Sequence, residues 1–118
     1  MPTLVLVAVG GALGALTRAA LIAAFGGQPW WGTLAVNILG CLVIGYLLVV
    51  VRTSSRAEAW MAFAVTGFLG GFTTFSALAL DTIVLLDTAP LLALAYLGVT
   101  LVVGLLAVPL GAFLADRR

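Results

Sequence analysis

Four long apolar stretches, roughly residues 3–25, 32–51, 60–86 and 89–114, take up nearly the whole chain. They are separated only by GGQPW, by RTSSRAE and by a turn around Asp87 and Pro90. A helix needs about 20 apolar residues to cross a hydrocarbon core about 30 Å thick. The 118 residues therefore allow four short-looped crossings and almost nothing outside the bilayer. Composition agrees: 64% of residues are hydrophobic, only 8% are charged and the mean hydropathy is +1.33, whereas a soluble domain is about a quarter charged. A soluble enzyme is excluded. So is a nucleic-acid binder, because five arginines and four acids give a net charge of +1 and no basic run could neutralise successive phosphates. There is no histidine, and Cys41 is the single cysteine. No intrachain disulfide or thiolate metal cluster can form. The opening MPTLVLVAVGG lacks the basic flank and small-residue cleavage site of a signal peptide and reads as the start of the first crossing.

Trp30, Trp31 and Trp60 stand beside the breaks, where an indole prefers the headgroup level. Four crossings put both termini and the second loop on one side of the membrane. That side carries Arg52, Arg56, Arg117 and Arg118, while the opposite loops carry no arginine and Arg18 is the only counterweight. The excess places both termini in the cytoplasm.

Coupled transport generally needs an ionisable group inside the span. Glu58, Asp87 and Asp116 lie in loops or at the tail, which leaves Asp81 near the end of the third stretch. Neutral hydrogen-bonding groups are concentrated instead, above all in GFLGGFTTFS at residues 67–76. Gly67, Gly70 and Gly71 would each cost a lipid-facing helix about 1 kcal/mol relative to Ala. One explanation is a tight crossing between two third helices. Another follows from Thr73, Thr74 and Ser76: glycines followed at once by hydroxyls suit a helix that unwinds locally. Such a break survives at membrane depth only if protein, water or an ion satisfies the freed backbone. Freed carbonyls are hard oxygen ligands, suited to a small alkali cation such as sodium. A neighbouring helix could satisfy them as well.

The second stretch, GTLAVNILGCLVIG at 32–45, places Asn37 one turn after Thr33 on the same face. Asn37 could join helices or offer its two N–H donors to an anion. Tyr96 and Thr100 repeat the spacing in the fourth stretch, and the next position on that face is Gly104. Phe72 and Phe75 contribute packing or ring edges of partial positive charge that can face an anion. A path lined by such neutral donors favours an anion, since conduction requires sites weak enough to be left quickly. Arg18 could raise the potential of a vestibule, or snorkel to the interface.

GGALGALTR at 10–18, GTLAVNILGCLVIG at 32–45 and GFLGGFTTFS at 67–76 resemble, in order and spacing, the three signature blocks of the Fluc (CrcB) fluoride channels. The resemblance implies that residues 1–118 form one four-helix transmembrane channel subunit with a break in its third helix. Two such subunits would assemble as an antiparallel dimer in the cell membrane and pass fluoride out of the cytoplasm. It further implies that Gly70 and Thr73 give backbone carbonyls to a structural sodium ion. Asn37 would be a pore donor, with Thr33, Thr74 and Ser76 as further hydroxyl-bearing neighbours. Phe75 would be the first of a pore phenylalanine pair, Tyr96 and Thr100 the start of a polar track, and Arg18 the vestibule arginine.

The chain departs from the family pattern at Ala77 and Leu78, where Thr and Phe are usual, at Gly104, which lacks a hydroxyl, and at Asp81, which stands for a longer Glu. These changes and the one-sided arginines leave two partners open: a second copy, or an oppositely oriented homologous subunit that supplies the missing groups. A non-conducting structural subunit and a proton-coupled exporter working through Asp81 are the functional alternatives.

Overall fold

The computed structural model describes residues 2–118. Among them all regular structure is helical: α1 (Thr3–Ala24), α2 (Pro29–Arg52), α3 (Ala57–Trp60), a π-helical stretch Met61–Leu69, α4 (Gly70–Phe72), α5 (Phe75–Thr88) and α6 (Pro90–Asp116). Four helical segments are long and apolar enough to cross a membrane: α1, α2, the third crossing Ala57–Thr88, and α6.

The helices run a few residues past the apolar stretches. Trp30 and Trp31, expected in a loop, lie in the first turn of α2 and stack with ring centroids 4.3 Å apart. The sequence signal for this is Pro29, whose fixed φ and missing N–H suit a first helical position. Pro90 starts α6 in the same way. The third crossing likewise extends to 57–88 instead of 60–86, because end turns made of polar residues still form i→i−4 bonds. Gly26, with φ +60°, turns the chain between α1 and α2 in a conformation that a side chain would resist.

Two close pairings fix the architecture. A Cβ on Gly10 or Gly14 of α1 would collide with the backbone carbonyls of Phe63 or Phe68 in the third crossing, and one on Gly71 with the carbonyl of Gly11. In the second pairing, a Cβ on Gly45 of α2 would strike the Val108 carbonyl, and one on Gly111 of α6 the Leu42 carbonyl. These glycines act as contact surfaces. With no hydrophobic drive between helices in lipid, close backbone approach is what holds them together. Val36, Leu69 and Phe72 are buried where the two pairs meet. The result measures 51 × 30 × 19 Å across its Cα atoms, a flat slab whose thin dimension is about two helix diameters. Leu80, Ile83 and Leu106 are exposed on it, as lipid contact requires.

Candidate ion-pathway site

The third crossing is broken at Thr73 and Thr74. Their backbones are extended, with φ/ψ of −80°/154° and −150°/120°, between α4 and α5. In an unbroken helix the Thr74 N–H would bond to the Gly70 carbonyl four residues back. Here it donates to Asn37 Oδ1 at 2.8 Å, while Asn37 Nδ2 donates to the Thr74 carbonyl at 2.9 Å. One carboxamide on α2 thus takes both backbone groups of the displaced residue, and the Gly70 carbonyl loses its helical partner. Thr74 then restarts the helix: its Oγ1 accepts the Ala77 N–H at 3.2 Å, an N-cap that satisfies one of the open donors of α5. Thr74 Oγ1 and Ser76 Oγ are 3.1 Å apart. Thr73 Oγ1 donates to the Leu69 carbonyl at 2.9 Å, and Arg18 Nη1 donates to the Thr73 carbonyl at 3.3 Å.

Beside the break lies an open groove of about 580 Å³ whose lining includes Asn37, Gly70, Thr73, Thr74, Phe75 and Thr100. Phe75 is 72% exposed, so nothing in its own subunit holds the ring. Gly70 has open space where a side chain would be. The groove is mostly apolar, with the polar groups of the break along one part of it. A carbonyl carries two lone pairs; the Thr73 oxygen therefore keeps one beyond its bond from Arg18.

Of the residues singled out from sequence, Arg18, Asn37, Gly70, Thr73, Thr74, Phe75 and Ser76 come together around the break. Thr33 and Tyr96 belong to a different place. The Tyr96 hydroxyl donates to Asp81 Oδ2 at 3.1 Å, its ring meets Trp30 edge-on at 5.7 Å, and both Thr33 and Tyr96 are buried away from the groove lining. Thr100 reaches the groove with its side chain, but its hydroxyl proton goes to the Tyr96 carbonyl at 2.7 Å. Thr33 sends its own to the Pro29 carbonyl at 3.4 Å. Each would have to rotate to donate to an anion.

Three features escaped the sequence reading. Asn37 holds the backbone of the break as well as having a donor to spare; the signal was its position one helix away from a glycine-rich segment, which does not specify a register. The π-helical stretch Met61–Leu69 has no sequence signature in MAFAVTGFL, although such widened turns gather near functional sites. The Tyr96–Asp81 pair needed the tertiary fold to be seen. Two of the departures can be placed in the structure. Leu78 is 2% exposed and belongs to the groove lining. Gly104 lines the groove, and a Cβ there would make only an ordinary contact with Cys41 Sγ at 3.4 Å, so packing does not explain the glycine.

A broken, glycine-rich third crossing held by an asparagine of the second can be compared with known proteins. The family described as CrcB-like protein, Camphor Resistance (CrcB), matches residues 5–112. The chain belongs to the CrcB-like family. It is 41% identical over 116 residues to a protein of Xylella fastidiosa (strain M23) named "Fluoride-specific ion channel FluC", covering 93% of this chain and 87% of that protein. It is 48% identical over 117 residues to a protein of the same name from Azotobacter vinelandii, covering 92% of each. Over 84 residues it is 49% identical to "Fluoride-specific ion channel FluC 2" of Thermobifida fusca, covering 68% of this chain and 62% of that protein. As a member of this family the chain is a multi-pass membrane protein and not an enzyme.

Proposed function

We propose that this chain is a subunit of a passive fluoride-selective channel of the cell membrane, which lets cytoplasmic fluoride escape and so lowers its toxicity. The observation that carries the reading is the break at Thr73 and Thr74. It combines a freed Gly70 carbonyl, the Asn37 carboxamide and an unsupported Phe75 ring on one open groove. The relatives named as fluoride channels supply the ion.

The slab is too thin to enclose a path, and its groove holds the freed Gly70 carbonyl, a backbone group that lipid cannot satisfy. A second subunit, antiparallel to the first, is the cover we assign to it. At that contact the Gly70 and Thr73 carbonyls would hold a sodium ion. The fit rests on the Gly70 carbonyl, which the diversion of Thr74 to Asn37 leaves without its helical partner. The bound ion would neutralise four converging carbonyl dipoles, two per subunit, and pin the subunits together. Asn37 keeps one N–H beyond its bond to Thr74 and would present it to fluoride beside the edge of Phe75. Thr74 and Ser76 add hydroxyls beside the break, Thr100 adds one once its hydroxyl turns from the Tyr96 carbonyl, and Arg18, bonded to the Thr73 carbonyl, adds positive potential there; Thr33 and Tyr96, buried away from the groove, are left out of the path.

Two features favour a homologous, oppositely oriented partner as a second reading. Leu78 stands in the groove lining where the family pattern has a second phenylalanine, and four arginines mark a single side. Fluoride-electrode recordings of efflux from liposomes holding only this polypeptide decide between them. Fast efflux that is indifferent to a pH gradient supports a homodimeric channel. Efflux that requires the second chain supports the pair. Flux driven by a proton gradient and lost in Asp81→Asn would overturn the channel reading in favour of a coupled exporter.

A further inference from the structure

The arginine-bearing end of the slab has a second hollow, separate from the groove. It measures about 220 Å³ between α1 and the start of the third crossing and is lined by Leu6, Arg56, Ala59, Trp60 and Phe63. Arg18, Arg117 and Arg118 direct their guanidinium groups to partners within the subunit. Among the described residues the Arg52 and Arg56 guanidinium groups have no such partner, and of these two Arg56 belongs to the lining of this hollow.

The lining is graded along the membrane normal. Arg56 closes the loop that leads into α3, at the level where the crossing begins. Trp60 lies about one turn further along the crossing, and Phe63, in the π-helical stretch, lies further in again. Leu6, in the second turn of α1, forms the opposite wall. Trp60 is 49% exposed and meets Phe63 edge-on, with centroids 6.4 Å apart and planes at 73°, which stands the indole up as a side wall. A cation above, an amphipathic ring at the interface and apolar side chains below match the order of phosphate, glycerol and acyl chain in a phospholipid. This end of the molecule also carries four arginines against Glu58 and Asp116, so an anionic headgroup is favoured over a zwitterionic one.

We propose that this hollow is a binding site for one anionic phospholipid, with its phosphate on Arg56, its glycerol against Trp60 and an acyl chain between Phe63 and Leu6. The site lies apart from the proposed ion pathway, and its occupancy can be read without any flux measurement.

Native mass spectrometry of the full-length chain in detergent, with added phosphatidylglycerol or phosphatidylcholine of identical acyl chains, tests it. One phosphatidylglycerol per subunit should bind with clear preference. Arg56→Gln should lower that affinity about fivefold, the effect of one basic residue near a lipid surface, while Arg118→Gln leaves it unchanged. Trp60→Ala should weaken both lipids alike. Arg56 and Trp60 are exposed, so these variants retain the fold, and circular dichroism checks this. The proposal is overturned if the two lipids bind equally, if Arg56→Gln and Arg118→Gln have the same effect, or if millimolar inorganic phosphate displaces the lipid, which would mark a free-anion site instead.

Discussion

Removing the Asn37 carboxamide tests the central structural claim, that α2 holds the third crossing open. Asn37→Ala abolishes the bonds of 2.8 and 2.9 Å to the Thr74 N–H and carbonyl. Interhelical hydrogen bonds in membranes are each worth about 0.6 kcal/mol on average and up to about 1.7. That range treats the freed groups as finding new partners. Thr74 is 8% exposed and sits at membrane depth, so as long as the break stays open its amide has no water to turn to, and an unsatisfied buried group costs about 1–3 kcal/mol. The expected loss for the pair is therefore about 2–4 kcal/mol. Asn37→Leu, which keeps the bulk, should lose nearly as much, because the cost arises from the backbone of Thr74 and not from a cavity. Unfolding of the reconstituted protein, titrated with sodium dodecyl sulfate in mixed micelles and followed by tryptophan fluorescence, measures the change. Fluoride efflux should fall in parallel, since the same bonds set the positions of the freed carbonyls. The reasoning is refuted if either variant is as stable as the parent. Lost flux with unchanged stability would mean that Asn37 acts on the ion alone.

Three other perturbations probe separate parts of the arrangement. Phe75→Ala should reduce fluoride efflux at least tenfold yet leave the unfolding midpoint of the isolated subunit nearly unchanged, because the ring is 72% exposed there; a large midpoint shift would mean that it serves packing. Gly45→Ala drives a Cβ into the Val108 carbonyl and should cost about 1–3 kcal/mol by overpacking, whereas Gly98→Ala, with nothing near its side-chain position, should be neutral or slightly stabilising in the same titration. Thr74→Val removes the oxygen that accepts the Ala77 N–H and should cost about 1 kcal/mol as a lost N-cap, with Thr74→Ser close to the parent.

Four crossings could be read directly from the sequence because hydrophobic length is a one-dimensional property: each apolar stretch has to span the bilayer whatever it packs against. The glycine-hydroxyl run at 67–76 marked a weak point in the third crossing for a similar reason, since unfavourable helix propensity is local. The roles of single residues were less accessible. Asn37 could be seen as a polar group inside a helix, but its partner is the backbone of a residue 37 positions away, and backbone groups look the same at every position of a sequence. The Tyr96–Asp81 bond and the separation of Thr33 and Tyr96 from the groove depend on how α2, α5 and α6 turn about their axes. Four-residue spacing fixes which residues share a face, not what that face meets.

The sequence by itself determined that this chain lives in a bilayer, how often it crosses, which end carries positive charge and where its third crossing is weak, because these follow from composition and local propensity. The tertiary structure alone decided that the weak point opens and which groups it offers. A helix gives up i→i−4 bonds in a membrane only when another segment takes them over, and that segment, Asn37 on α2, is brought there by glycine contacts between helices distant in sequence.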